Sequence, residues 1–181
     1  MDEPLQDLED RIGKRRNFDA PPLHLWHPEL SGDIAIHIDA QGNWHHEGTR
    51  IERDSLVKLF ASILRREADG HYYLVTPAEK WRISVALHPL IVTDIENREE
   101  GGQAVLRITL NTGRRLAVDA EHPLFLEPAA GHVAAVQLEH GLTALWSRPA
   151  WYRLVEMAED VAGVPSVRSC GSVFPLAPRQ P

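Results

Sequence analysis

Apolar positions are most regular between Arg53 and Val85, and their period changes once within that stretch. Leu56, Leu59, Phe60, Ile63 and Leu64 recur at steps of three and four, the spacing of one helical face. Val57 widens the stripe; Arg53, Lys58, Arg65, Arg66 and Glu67 fall mostly on the other side. The spacing predicts an amphipathic helix with Asp54 as its N-cap. Arg65 and Arg66 occupy its last turn, where cations meet exposed carbonyls, and Gly70 stops it. Burying each large apolar side chain contributes about 1.5–3 kcal/mol, so the stripe is expected to lie flat on a sheet. The period then falls to two. Tyr72 to Val75 are strand formers, and Thr76-Pro77-Ala78-Glu79 reads as a turn. Trp81, Ile83 and Val85 alternate with Lys80, Arg82 and Ser84. That alternation gives one apolar and one polar face and sets Lys80 beside Arg82.

The same periods organise the rest of the chain. Residues 1–22 read as a lead-in helix or arm, with Pro4, Leu5, Leu8 and Ile12 at helical spacing. Ile34, Ile36 and Ile38 mark a strand, Asp39 to Asn43 a hairpin loop, and Trp44 to Gly48 the returning strand. Residues 23–88 thus form a β-β-α-β-β unit. Residues 89–160 form a second unit, opened by Leu90-Ile91-Val92. A charged, glycine-rich loop is expected over Glu96–Gly102. Leu106, Ile108 and Leu110 alternate before a turn at Asn111-Thr112-Gly113. Further strands follow around Leu124–Leu126, Val133–Leu138 and Leu142–Trp146. Ser147 is the expected cap of a final helix with the stripe Trp151, Leu154, Val155 and Ala158. Residues 161–181, rich in proline and glycine, read as an extended tail. Each half holds paired strands and one helix, and His88-Pro89-Leu90 recurs as His122-Pro123-Leu124. The chain is therefore read as α+β, two related units arising by duplication.

Composition narrows the function classes. The 181 residues suit one domain or two small ones, and 43% hydrophobic content supplies a core. No apolar run approaches the roughly 20 residues of a membrane helix, and no secretion signal opens the chain. Cys170 is the single cysteine, so no internal disulfide forms and a cytoplasmic location is expected. A net charge of −7 disfavours nucleic acid, whose phosphates need a positive footprint. Only three of the 19 basic residues are lysine. Arginine suits planar recognition of carboxylate and phosphate, but a GC-rich genome explains the bias as well and is preferred.

Defined catalytic patterns are missing. His24-x-x-His27 with Glu29, and His45-His46, are the metal candidates. Neighbours on a strand point to opposite faces, and no zinc spacing is present. Surface or hydrogen-bonded histidines are the preferred reading, with no metal and no cofactor. Asp119 and His122 could orient one another as a hydrolytic pair; turn-stabilising roles are the simpler account. The best polar group is cationic: Arg65, Arg66, Lys80 and Arg82, with Tyr72 or Tyr73 to stack a planar ring. It suits a small anionic ligand such as a nucleotide. A solvated face paired with Glu67 and Glu79 is the alternative.

The run LVKLFASILRREADGHYYLVTPAEKWRISV resembles a bacterial family, domain of unknown function 1285. So do PLHLWHPELSGDIAIHIDAQGNWHHEGTRI before it, and DAEHPL and LTALWSRPAWYRLVE after it. The resemblance spans about Pro22 to Glu159. It implies two α/β units related by duplication, the second a pleckstrin-homology-like β-sandwich or barrel capped by its C-terminal helix. It also implies a ligand groove between the units, a nucleotide-like ligand, a signalling role and no established enzyme activity. The matching positions are Thr76, Glu79, Lys80 and Arg82 from the first unit, and Asp119, His122 and Arg148 from the second. The leading expectation is a non-catalytic binding protein for a small anionic molecule, using these residues with Arg65, Arg66 and Tyr73. A protein-interaction module is the second reading, and a hydrolase using Asp119 and His122 the third.

Overall fold

The computed structural model describes residues 6, 7, 9, 10 and 20–178. The lead-in helix expected over residues 1–22 therefore falls mostly outside the described residues. The chain divides into two compact units, one of residues 1–39 and 43–86, the other of residues 40–42 and 87–181.

The first unit is a six-stranded sheet with one helix. Its strands are β1 (Leu30–Ile38), β2 (Trp44–His46), β3 (Thr49–Arg50), β4 (Leu64–Arg66), β5 (Tyr72–Val75) and β6 (Lys80–Val85), in the order β3-β2-β1-β6-β5-β4. Helix α1 (Asp54–Ser62) connects β3 to β4. Each set of three consecutive strands is an antiparallel meander. The two meanders are joined by parallel pairing of β1 with β6. The apolar stripe of α1 is buried through Leu56 and Phe60. Phe60 stacks on Trp44 of β2, ring centres 6.1 Å apart. Truncating such a ring typically costs about 3–5 kcal/mol.

Three sequence expectations change here. The helix ends eight residues before Gly70, because Ile63 and Leu64 are fully buried and leave it to join the sheet. Leu64 pairs with Leu74, and Val75 N–H donates to Ile63 O at 2.9 Å. Arg65 and Arg66 are thus strand residues, not the last turn of a helix. The N-cap position belongs to Arg53, which makes no side-chain cap bond; Asp54 sits in the first turn, where its charge suits the helix dipole. With β3 and β4 added, the unit is β-β-β-α-β-β-β.

The second unit repeats the sheet. Its strands are β7 (Leu90–Glu100), β8 (Gln103–Leu110), β9 (Arg115–Ala117), β10 (Leu124–Glu127), β11 (Val133–Gln137) and β12 (Thr143–Trp146). Their order is β10-β11-β12-β7-β8-β9, again with first and sixth strands parallel. The duplication therefore lies in the sheets. The helix is placed differently: α2 (Arg148–Glu156) follows β12. Ser147 caps it, accepting from Ala150 N–H at 3.4 Å, and Ala150 and Leu154 are buried. His88-Pro89-Leu90 enters β7 and His122-Pro123-Leu124 enters β10. The tripeptide thus marks the two meanders of the second unit, not the two units. His88 itself is buried between Thr143 Oγ1 at 2.6 Å and Glu127 Oε2 at 2.8 Å.

The expected loop Glu96–Gly102 is mostly strand. β7 and β8 stay paired to Glu100↔Gln103 and turn through Gly101 and Gly102. Its charges are exposed along the ribbon, where Arg107 binds both oxygens of Glu100 at 2.9 and 2.8 Å. The expected tail is also folded. β13 (Glu159–Val161), β14 (Val164–Ser169) and β15 (Ser172–Pro175) form a three-stranded antiparallel sheet. Its glycines, Gly163 and Gly171, take the positive φ its two turns require. Ser169 fixes this sheet to the unit: its buried hydroxyl accepts from Leu106 N–H at 2.8 Å and donates to Val118 O at 2.5 Å. Among the described residues no helix is long and apolar enough to cross a membrane.

Removing that hydroxyl leaves a buried N–H and a buried carbonyl short of a partner, at about 1–3 kcal/mol. Ser169→Ala should lower stability in urea denaturation by that amount and speed proteolysis within residues 159–175. Unchanged proteolysis would mean that the C-terminal sheet is held by other contacts.

Candidate functional site

The register of the first sheet brings several of the expected site residues into one row. Arg65, Tyr73 and Arg82 stand opposite one another on β4, β5 and β6, and Asp33 continues the row on β1. Lys80 lies over the Tyr73 ring, its Nζ 4.8 Å from the centre. Most of this row is internally satisfied. Arg65 donates to the carbonyls of Leu23 and Trp26, each at 2.8 Å, and to Glu67 at 2.5 Å. Lys80 reaches the same Glu67 carboxylate at 3.0 Å. Burial would raise the Glu67 pKa, but bonds from Arg65 and Lys80 outweigh it and hold the carboxyl below its ordinary value. Tyr73 O–H donates to Asp69 at 2.6 Å, which, with burial, pushes the phenol up to about 12. Arg65 thus ties the sheet to the segment before it, and Lys80 shares its carboxylate partner.

The other first-unit candidates divide between a second face and a turn. Arg66 stands over the Tyr72 ring at 5.4 Å and donates to Gly70 O at 3.2 Å. Thr76 Oγ1 accepts from the N–H groups of Ala78 and Glu79, at 3.3 and 3.0 Å. Thr76 and Glu79 therefore build the β5–β6 turn.

Arg82 is differently placed. The parallel joint pairs Asp33 with Arg82, and next His37 with Ser84. Strand β1 spends four residues where β6 spends two. The corresponding joint of the second unit, residues 90–92 with 144–146, has no such shift. Bulges of this kind re-aim side chains and break pairing. At this one lies an open hollow of about 640 Å³, lined by Asp33, His37, His71, Arg82 and Ser84 among others. Arg82 binds both oxygens of Asp33, at 2.6 and 3.0 Å. That bond lowers the Asp33 pKa and raises that of Arg82. His37 Nδ1 meets Ser84 Oγ at 2.8 Å. Gly32 precedes the bulge at φ +146, and a Cβ there would lie 3.3 Å from the Trp81 ring. An isolated glycine in a strand pattern is the local sequence mark of such a bulge.

The second-unit residues form their own network. His122 Nδ1 meets Asp119 Oδ1 at 3.1 Å and its Nε2 meets Glu139 Oε1 at 2.9 Å. Arg114 donates to that Glu139 oxygen at 2.7 Å. Arg114 and Glu139 were not anticipated, since turns far apart in sequence bring them in. With both ring nitrogens on carboxylates, the protonated form of His122 is favoured and neither nitrogen is turned toward a substrate as a free base. Asp119 also accepts from the N–H groups of Glu121 and His122, a turn-building role. Arg148 is exposed at the first position of α2. Among the described residues no three histidine, cysteine or carboxylate side chains converge as a metal site.

The His122 network makes stability depend on pH. Burial would lower its pKa, but bonds to Glu139 and Asp119 outweigh this and raise it above 6.5. Glu139, bonded first by Arg114, is held down to about 2 and stays ionised. A raised histidine pKa stabilises the fold fully below about 6.5, and that contribution fades as pH rises through the folded value. Denaturation should therefore show about 0.5–1 kcal/mol lost between mildly acidic and mildly alkaline pH. In His122→Gln that slope should be absent.

Comparison with known proteins agrees with this architecture. The family model "Domain of unknown function (DUF1285), N-terminal domain" matches residues 21–86. "Protein of unknown function (DUF1285), C-terminal domain" matches residues 89–176. The crystal structure of a DUF1285 family protein from Silicibacter pomeroyi is similar over 91% of both chains, at 36% identity and a TM-score of 0.83. One from Shewanella baltica matches at 31% identity and a TM-score of 0.57, over 68% of this chain and 91% of that one. No curated protein matches. Two family domains covering nearly all the described residues, with sheets of matching topology, show that this chain belongs to the DUF1285 family.

Proposed function

We propose that this chain is a non-catalytic binding protein that takes a small anionic, nucleotide-like molecule in the hollow beside β1 and β6, in a signalling role. The observation that carries the reading is the pairing of Arg82. Its partner in the hollow is Asp33, whose side chain is 65% exposed. Exposed ion pairs contribute little, so a ligand phosphate or carboxylate can take the place of Asp33 at small cost. The guanidinium already presents the two-point geometry such a group needs. The hollow's volume falls within the roughly 300–1,000 Å³ of small-molecule sites. His37 and His71 on its lining offer further hydrogen bonds.

The second unit is read as pleckstrin-homology-like, with α2 as its C-terminal helix. That helix exposes Tyr152 at 62% and Val155 at 45%. These two side chains favour protein interaction as the second reading. Hydrolysis through Asp119 and His122 ranks last, because His122 has both nitrogens engaged.

Thermal-shift measurements with mono- and dinucleotides test the reading. A ligand at 100 times its Kd stabilises by about 2.7 kcal/mol, which raises Tm by roughly 5–10 °C for a chain of this size. Arg82→Ala should abolish the shift. Asp33→Asn should enlarge it, because it frees the guanidinium. A shift unaffected by either substitution would place the ligand elsewhere, and no shift with any nucleotide would remove that ligand class.

A further inference from the structure

We infer that His37 and His45 form a two-histidine site for a divalent transition-metal ion. The site shares the lining residue His37 with the hollow of the Arg82 reading but does not depend on that reading. His37 on β1 and His45 on β2 are direct cross-strand partners in an antiparallel pair. Such partners carry Cβ atoms about 4.5–5.5 Å apart on one face. Their ring centres are 6.4 Å apart, tilted by 41°. An ion bound about 2.1 Å from one nitrogen of each imidazole holds the ring centres roughly 5–6.5 Å apart, a range that the observed separation meets at its upper end.

The hydrogen bonds around the two rings select the right nitrogens. His45 Nε2 lies 2.9 Å from Asp39 Oδ2. A carboxylate only accepts, so that nitrogen carries the proton and Nδ1 keeps its lone pair. Asp39 is itself positioned by the N–H and side-chain amide of Asn43, at 2.9 and 3.1 Å. His37 Nδ1 meets Ser84 Oγ at 2.8 Å, and the Ser84 hydroxyl is directed at Ile36 O, 3.5 Å away. The serine oxygen thus accepts from Nδ1–H, leaving the lone pair on His37 Nε2. Among the described residues, neither remaining nitrogen has a hydrogen-bond partner. One ring nitrogen bound to a carboxylate or hydroxyl and the other open is the arrangement that metal-binding histidines show.

Chemistry limits the ion. Imidazole ligands suit zinc, nickel and copper, whereas magnesium and calcium take oxygen ligands. His37 is exposed and lines the hollow, and the His45 side chain is 25% exposed. An ion held by two protein ligands there keeps positions for water or for a donor atom of a small molecule. Arg50, opposite His45 on β3, is itself exposed.

Titration calorimetry of the full chain with zinc chloride and nickel chloride tests the site. One ion per chain should bind saturably, with no response to magnesium. His37→Ala and His45→Ala should each weaken binding at least tenfold, and Asp39→Asn, which removes the carboxylate behind His45 Nε2, by about tenfold. His71→Ala and His132→Ala should leave it unchanged, which separates this pair from the other histidines. Circular dichroism melts without metal identify any variant that has merely lost its fold; for such a variant His37→Asn replaces His37→Ala. No saturable binding, or binding that survives both His37→Ala and His45→Ala, overturns the proposal. Nucleotide shifts persisting in these variants would leave the Arg82 reading standing on its own.

Discussion

Each unit depends on one parallel joint between its first and sixth strands. Three-stranded meanders form from local hairpins and close short loops. Joining two of them side by side requires the chain to return to its starting strand across more than 40 residues. The edge N–H and C=O groups of both first strands need partners, and the sixth strand supplies them. Once that joint is made, the two meanders form one continuous sheet. In the first unit, Trp44 from one meander then lies against Phe60 on the helix linking the two.

The two joints are not equally regular. In the second unit the pairing runs without a shift, and Ala144 and Val92 at that joint are fully buried. In the first, the register shifts twice, and β1 gains three residues against β6 between Leu30↔Lys80 and Ile38↔Val85. Gly32 tolerates the distorted backbone beside Trp81. The polar groups re-aimed there are Asp33, His37, Arg82 and Ser84. A duplicated sheet provides its own reference: the regular copy shows what the joint needs for stability alone, and the departure in the other copy locates the hollow.

The cations expected to meet a ligand separate by how well they are already satisfied. Arg65 and Lys80 share Glu67, and Arg65 holds two backbone carbonyls besides. Displacing these contacts would strip a part-buried carboxylate and two carbonyls of partners. Arg82 faces an exposed carboxylate that water solvates readily. Its capacity to change partners follows from that exposure and not from residue type.

The sequence alone determined the two periods, and with them the first helix and most strands. Turn chemistry was equally local: Thr76 to Glu79, Asn111 to Gly113 and the Ser147 cap all act within a few residues. The early end of the helix at Ser62, the length of β7 and the folding of residues 159–175 were decided elsewhere. Ile63 and Leu64 fit a helical stripe as well as a strand, and only pairing with β5 selects between them. The C-terminal prolines and glycines read as a tail until Ser169 finds Leu106 and Val118, over 50 residues away. The row Arg65–Tyr73–Arg82–Asp33, the pair His37–His45 and the Glu139 partner of His122 come from strand register and loop placement. Register is a relation between segments, so it leaves no mark on either segment read by itself.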